Sequence, residues 1–415
     1  MAEEQEVVIV GGGISGLATA VALQRLGVRS VVLERSDGLR TTGAALSLFT
    51  NAWRALDALG VAHKLTSIYP PMEGGSVTNL ETGEELLTNL AGNRYEEWDG
   101  TAAVHRKMLL EALAEELKPD TIRFSSKLAS IRTEVLKDSS TVVILHLEDG
   151  TIIRAKVLIG CDGVHSLVAQ WLGLAAPINS GRSAVRGLAI YDEGHGLNYG
   201  ANQFLSCGKR AGLIPLNDKE IYWFITNPTT PREKDMANEF TRDPSLILKE
   251  VTDNLAKEFP QSYLEVVEHS DLSSLTWAPL MLRNPWAILT GSNHKGTVTV
   301  VGDAMHPMTP DLGQGGCSAL EDAVVLARNI GGALRSKENM SKVEEGMRKY
   351  VKERRWRVSG LVLGSYLSGW VQQGGSGLWG WAVRIFRDRV FYTFVYPRIS
   401  AAVQYDCGVL LPPEV

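Results

Sequence analysis

The sequence predicts an α/β fold: a Rossmann-type domain interleaved with a mixed β-sheet domain and followed by C-terminal helices. Three observations carry this. Residues 7–10 are a short, fully apolar run, as a buried parallel strand is, and lead straight into Gly11-x-Gly13-x-x-Gly16. A second apolar strand, at residues 298–301, ends in Gly302-Asp303 far down the chain, so the chain leaves the first domain and returns to it. Between them, residues 183–224 hold four strand-like runs with clustered aromatics. A chain of 415 residues exceeds the usual size of one core. The expected division is 1–75, 100–180 and 290–335 for the nucleotide domain, 76–99 and 181–289 for the mixed sheet, and 336–415 for a helical region.

In the first unit each glycine has a job. Gly11 allows the tight turn, Gly13 lets the backbone approach a pyrophosphate, and Gly16 lets the helix pack on the strand. The helix opening at Ile14 and Ser15 offers free N–H groups and a partial positive charge. Gly27 closes that helix, residues 30–33 are the second strand, and Glu34 stands 18 residues after Gly16, where a carboxylate accepts from a ribose hydroxyl. This spacing points to a dinucleotide without saying which.

Composition narrows the class. A net charge of −5 argues against a nucleic-acid surface. Cys161, Cys207, Cys317 and Cys407 stand far apart, which suits a reducing compartment without a disulfide frame or a metal site. No apolar run approaches a membrane span and no targeting segment is expected, so a cytoplasmic protein without stable membrane insertion is expected, as a monomer or homodimer.

Along the chain, a loop with Arg40 and Gly43-Ala44-Ala45 leads into a helix with Leu46, Leu48, Trp53, Leu56 and Leu59 on its apolar side. Small residues there suit a backbone lying against a flat ring. A hairpin turns at Thr82-Gly83, and Arg106 opens the next helix, a good place to meet a phosphate. Residues 121–159 alternate as a ribbon, turning at Lys137-Asp138 and Asp149-Gly150, and return to the first domain. Asp162-Gly163 then tops another strand-to-helix turn. Residues 243–259 and two long later segments, 316–334 and 342–362, read as helices, and the aromatic tail should pack across the protein. Gly375, Gly377 and Gly380 repeat the glycine spacing without flanking strands and read as a loop.

The second signature runs from Gly296 to Glu321: GTVTVVGDAMHPMTPDLGQGGCSALE. Asp303 projects from a strand's carboxyl edge, where α/β sheets bind ligands, and can hold ribityl hydroxyls. Pro307 and Pro310 stiffen the approach. Gly313, Gly315 and Gly316 clear side chains from a flat ring, and the helix beginning there aims its positive end at it. A reduced flavin, negative near N1, would be stabilised by that dipole.

Together, the glycine fingerprint, the GCDG turn and GDAMHPMTPDLGQGG resemble the single-component FAD-dependent aromatic hydroxylases of the para-hydroxybenzoate hydroxylase-like family, over nearly the whole chain. RGLAIYDEGHG, PLMLRNPW and QYDCGVL are similar to its plant monooxygenase-1-like branch, related to urate hydroxylases and zeaxanthin epoxidase. The resemblance implies a plant flavoprotein of specialised metabolism with bound FAD. Gly11 to Gly16 would take the pyrophosphate and Glu34 the ribose, with Arg35, Arg106 and Leu128 completing the adenosine side. Asp303, Pro310 and Gly313 to Gly316 would hold the ribityl chain and ring. It also implies reduction by NAD(P)H as a transient co-substrate, then O2, a flavin C4a-hydroperoxide, and transfer of oxygen to a small aromatic or conjugated molecule. Arg186 is the candidate facing flavin and substrate, with Tyr222 and Phe224 as pocket candidates; no general base is named.

One departure stands out. The family's second turn continues D-G-x-x-S-x-x-R; here Asp162, Gly163 and Ser166 are present but Ala169 replaces the arginine and Leu167 a frequent second one. That keeps two other readings open: an FAD-dependent oxidase, dehydrogenase or cyclase without oxygen insertion, and a catalytically idle flavin-bound regulatory or binding protein.

Overall fold

A computed structural model of the chain describes residues 2–39, 45–88, 100–136, 141–206, 208–230, 239–240, 242–336, 340–374, 383, 385–387, 390 and 401–411. Arg40, Gly43, Ala44, the turn at Lys137-Asp138, Cys207 and the glycines at 375, 377 and 380 lie outside the described residues.

The chain opens with β1 (Glu3–Val10), α1 (Ile14–Arg25) and β2 (Val31–Leu33). Next come β3 (Ala45–Leu48), α2 (Thr50–Ala58), α3 (Ala62–Thr66) and the hairpin of β4 (Gly74–Asn79) and β5 (Glu85–Thr88). Then β6 (Ala102–His105) enters α4 (Arg106–Glu115), followed by β7 (Ile122–Arg123). The ribbon is β8 (Leu128–Val135), β9 (Thr141–Leu147) and β10 (Ile152–Gly160), which leads to α5 (Leu167–Trp171). Four long strands follow: β11 (Ile178–Ile190), β12 (Gly200–Ser206), β13 (Lys209–Pro215) and β14 (Glu220–Pro228). After α6 (Pro244–Glu250) and α7 (Gln261–Glu268) come β15 (Thr276–Leu282), α8 (Pro285–Thr290), β16 (His294–Lys295) and β17 (Val298–Val300). The long helices α9 (Gln314–Arg335) and α10 (Met340–Gln373) complete the order.

Two sheets organise these elements. The first runs β16-β17-β10-β1-β2-β7, with β9 and β8 added beyond β10. Its strands β17, β10, β1, β2 and β7 are parallel, so their carboxyl ends share one edge: Gly160 stands opposite both Val10 and Val300, and Val10 opposite Leu33. The second runs β15-β11-β14-β13-β12-β4-β5 and is antiparallel except for β12 beside β4, hence mixed. Apolar residues of α1, α2, α4, α9 and the first part of α10 fill one face of the parallel sheet; the ribbon, α5 and the later part of α10 fill the other. A third cluster lies behind the mixed sheet, where Trp223 and Ile225 pack against Ile247 and Tyr263 of α6 and α7.

The α/β class and the return of the chain at β17 agree with the sequence reading. The apolar helix expected to include Leu46 and Leu48 does not: both lie in β3, which pairs antiparallel with β6, and the helix begins only at Thr50. Their alternation with Ala45 and Ser47 is a period-2 signal, which the later helical spacing of Trp53 and Leu56 masks. Residues 122–123 are likewise no part of the ribbon; they pair with β2 at the edge of the parallel sheet. The helix expected over 243–259 stops at Glu250 and continues as one π-helical turn, Val251–Leu255.

Helices α9 and α10 meet at glycine. A Cβ on Gly346 would lie 2.4 Å from the Asn329 carbonyl oxygen. Gly346→Ala should therefore cost about 1–3 kcal/mol, the scale of overpacking. Urea unfolding checks this, and an unchanged midpoint would refute the close approach.

Candidate active site

The site begins where β1, β10 and β17 end together. Gly11 has φ +106° and donates its N–H to the Leu33 carbonyl at 2.8 Å; a side chain there would strike Cys161. Gly16 is tighter still, since its Cβ would lie 1.8 Å from Gly11 O. Gly13 differs: a Cβ would meet nothing within 4 Å. It caps α1 without a side-chain hydrogen bond, and no acid lies in the first turn, so no side chain caps the N–H groups that open the helix. Such a cradle fits a pyrophosphate.

Glu34 is held for its task. One carboxylate oxygen accepts from Gly12 N–H at 2.7 Å and the other from Ser36 N–H at 2.9 Å, which fixes the acid against the glycine turn. Arg35 beside it is exposed. Ser126 N–H donates to Glu34 O and brings the start of β8 alongside; the Leu128 side chain turns into the core, leaving its backbone at that edge. Ala45 stands opposite His105 in the β3–β6 pair, so it and Arg106 share one end of that ribbon.

Asp303 sits on the turn after β17. Protein crowds it on most sides, which pushes its carboxyl above the usual range against the pull of His306 and Arg106, yet its side chain is open to solvent. That combination describes the floor of a cleft. The turn leans on the glycine loop: Gly302 has φ +63°, and a Cβ there would lie 2.9 Å from the Ser15 Cβ. Behind it, Asp322 of α9 accepts from Gly302 N–H at 3.0 Å, from Arg354 Nε at 2.6 Å, and meets His306 Nε2 at 2.5 Å. Burial would raise this acid, but His306 and Arg354 bring it down to about 2.

Pro310 is exposed at the start of a single 3-10 turn that ends at Gly313, which is left-handed at φ +65° and begins α9 without a side-chain cap. A Cβ at Gly316 would press on Leu46, whereas at Gly315 the nearest atom would be 3.9 Å away. The helix therefore presents bare backbone, as a flat ring requires.

Asp162 tops the third turn. Its Oδ2 accepts from Leu167 N–H at 2.7 Å and Val168 N–H at 3.3 Å; burial pushes the carboxyl up, and Ser166 and those N–H groups ease it. Ser166 caps α5 through Ala169 N–H at 2.8 Å, and Ala169 is buried in the core.

The remaining candidates stand on one face of the mixed sheet. Arg186 is directly opposite Phe224, Leu188 opposite Tyr222, and Gly212 opposite Phe224 on the other side, so Arg186, Tyr222 and Phe224 share a face. All three are half-buried, while their neighbours Val185, Trp223 and Ile225 point into the rear core. The sequence reading missed what anchors this face. Arg182 holds Asp311 with two hydrogen bonds of 3.0 and 2.7 Å, and Arg210 adds a third of 3.2 Å while lying 5.3 Å over the Phe224 ring. An arginine inside the otherwise apolar run at 210–215 was the available signal.

The comparisons with known proteins now bear on this geometry. The FAD binding domain family matches residues 4–365. The chain is 42% identical to Monooxygenase 2 of Arabidopsis thaliana over 98% of both chains. It is 38% identical to Monooxygenase 1 of the same plant, over 88% of this chain and 90% of that one. The chain belongs to the FAD-dependent monooxygenase family. Members of this family are flavoprotein oxidoreductases, so the cofactor is FAD. The crystal structure of HpxO from Klebsiella pneumoniae, complexed with FAD and uric acid, shares the fold with a TM-score of 0.80 at 24% identity, covering 98% of each chain. In this family member no helix among the described residues is long and apolar enough to cross a membrane.

Asp322 yields a pH prediction. Its depressed value means its ionised form stabilises the fold above the ordinary carboxylate range, and that stability is lost as pH falls from about 4 through about 2. The loss should be about 2 kcal/mol. In Asp322→Asn this acid-dependent part should vanish, with an overall cost of about 1–3 kcal/mol because buried Arg354 loses one of its two carboxylates and keeps Glu321. Denaturant midpoints between pH 6 and 2 check both.

Proposed function

We propose that this chain is a monooxygenase that takes electrons from NAD(P)H and inserts oxygen from O2 into a small aromatic or conjugated metabolite, by hydroxylation or epoxidation. The observation that carries the reading is the meeting of three turns, at Gly11–Gly16, Asp162 and Asp303, on one sheet edge, with the mixed sheet that bears Arg186, Tyr222 and Phe224 tied to the approach to α9 through Asp311. We assign residues 1–75, 100–180 and 290–335 to FAD, 76–99 and 181–289 to substrate, and 336–415 to a helical support. The cytoplasm is the proposed compartment, and a plant specialised metabolite the proposed kind of substrate.

Each residue has a binding task. The N–H groups from Gly13 to Gly16 take the pyrophosphate, Glu34 a ribose hydroxyl, and Arg35, Ala45, Arg106 and the Leu128 backbone the rest of the adenosine side. Asp303 takes ribityl hydroxyls. Pro310, Gly313, Gly315 and Gly316 lie against the ring, with the positive end of α9 aimed at it. Asp162 keeps the neighbouring turn in shape. When bound, FAD supplies the redox and oxygen chemistry. Leu188, Ile214 and Phe224 make the opposing wall apolar, which keeps water from the reacting centre. A single glycine fingerprint with flanking strands fits NAD(P)H as a visitor.

The purified protein should be yellow, consume NAD(P)H with substrate, and carry label from isotopically enriched O2 into product. Label arriving from water instead, or turnover without O2, would overturn the reading. Asp303→Ala should lose most bound FAD at equal folded yield; full retention would sink that role. Glu34→Ala should weaken FAD by about 1–3 kcal/mol, as read by fluorescence titration, since it removes a charge-assisted acceptor and releases Gly12.

A further inference from the structure

Helix α10 changes character along its length. From Lys342 to Glu353 every exposed side chain is charged, as on an ordinary solvated face. From Trp356 to Trp370 none is: the exposed positions are Trp356, Gly360, Leu363, Leu367 and Trp370. Their spacing of four, three, four and three puts them on one side of the helix, in a ridge about 21 Å long. Trp356 is 65% exposed and Trp370 42%, while Val358 and Val362 of the same stretch are fully buried in the second core. A helix that packs one face on a core ordinarily puts charge on the other. A contiguous apolar ridge in that place marks a surface that something covers.

Charge and shape say what covers it. Lys352, four residues before Trp356, continues the same face, and neither it nor Arg355 has an ion pair among the described residues. The adjacent acid, Glu353, is taken by Arg328. At the other end, Arg387 donates to Gln372 O at 3.2 Å and ties the segment bearing the exposed Ile385, Phe386 and Val390 to α10. In sequence, residues 375–400 hold four arginines against one aspartate, with seven aromatic residues, in a chain whose net charge is −5. An apolar ridge with tryptophan at both ends and positive charge beside it has the composition of a helix lying in a lipid interface. A second protein is a poorer fit. The ridge side chains expose on the order of 400 Å², half of the roughly 800 Å² that each partner gives to a stable interface. A bilayer needs no matching shape, and a trough of about 460 Å³ along the ridge, lined by Gly360, Gly364, Leu312 and Tyr405 among others, gives acyl chains room.

We propose that this half of α10 docks on an anionic lipid surface, with the helix lying in the plane of the headgroups. Trp356, Leu363, Leu367 and Trp370 enter the boundary between headgroups and acyl chains, and Lys352 and Arg355 meet the anionic headgroups. The contact is peripheral: no helix among the described residues is long and apolar enough to cross a membrane. It borders the cleft without belonging to it. A Cβ on Gly364 would lie 3.3 Å from Leu312 Cδ1, and Leu312 is the residue before Gly313, so the docked face flanks the loop that leads to α9. The rival occupant is a second copy of this chain, ridge against ridge.

The test uses the full-length protein and co-sedimentation with two kinds of vesicle: phosphatidylcholine alone, and phosphatidylcholine with about a third phosphatidylserine. The wild type should partition onto the phosphatidylserine vesicles about 10-fold or more tighter than onto the neutral ones, and added salt should reduce the difference. Trp356→Ser with Trp370→Ser should weaken binding to both vesicles about 10-fold or more at unchanged melting temperature, whereas Trp356→Phe should keep most of it. Lys352→Gln should lower only the phosphatidylserine preference, by about 3- to 5-fold. If the double variant does not fold, Leu363→Gln and Lys352→Gln decide. No binding to either vesicle, equal binding to both, or binding that the ridge variants leave intact overturns the proposal. So does a wild type that sediments as a dimer in solution and stays off vesicles, with the double variant monomeric, which is the rival's signature. Partition is read without turnover, so a failure of the monooxygenase reading leaves this result standing, and the reverse holds as well.

Discussion

One buried carboxylate sets the shape of the cleft floor. Asp322 is fully enclosed and joins the Gly302 N–H, His306 and Arg354. A lone acid in that position would be costly. It is tolerated because Arg354 is shared with Glu321, which Arg357 grips with two bonds of 2.8 and 2.6 Å and Asn51 reaches at 2.5 Å. Tyr405, from the C-terminal segment, covers both guanidiniums, with ring centroids 5.1 and 4.2 Å away. The network thus holds α9 to α10 and tethers both ends of the turn that displays Asp303. Removing the charge at its centre would loosen the turn rather than the strand beneath it, because β17 is secured by its own ladder to β10.

A second buried joint ties the two sheets together. Asp311 belongs to the glycine-rich approach to α9, while Arg182 and Arg210 belong to the mixed sheet. Gln373, at the end of α10, donates to Thr226 at 3.0 Å and so closes the joint from the third side. Helix α10 can come that near only because residue 369 is glycine: a Cβ there would fall 2.2 Å from Arg182 and 2.4 Å from Asp311. The loop proposed to cradle the ring and the face proposed to bind substrate are therefore joined directly by buried ion pairs. Such a joint transmits any shift of the sheet face to Pro310–Gly313 through a few bonds.

The difference between what the sequence revealed and what it hid follows from sequence separation. The glycine turn, Glu34 and the strand before Asp303 were legible because each is local: the residues that need one another lie within a turn or a strand of each other. Leu46 and Leu48 were misread because the pattern that makes them a strand is four residues long and adjoins a true helix. Asp322, Arg354 and Glu321 carry no local pattern; an acid and an arginine on helices ordinarily mean a solvated face, and only the packing of α9 on α10 buries them. Arg182 and Asp311 meet across 129 positions, and no periodicity announces such a pair.

Ala169 shows how a departure from family pattern can leave a fold intact. The turn it belongs to is secured without it, since Asp162 holds the N–H groups of Leu167 and Val168, and Ser166 holds that of residue 169. The alanine methyl is 2% exposed among the apolar residues of the second core, a place where a guanidinium would have to reach out past Leu167 to find water. What the substitution removes is a positive charge at the rim, not a support. The groups proposed to retain FAD lie mostly at the Gly11–Gly16 turn, Glu34, Arg106, Asp303 and the start of α9, outside the turn that holds residue 169. In the proposed reaction the approach of NAD(P)H would depend on that charge, because long-range attraction at a rim scales with the charge displayed there. The proposed function therefore assigns retention of FAD and the approach of NAD(P)H to different residues of this chain.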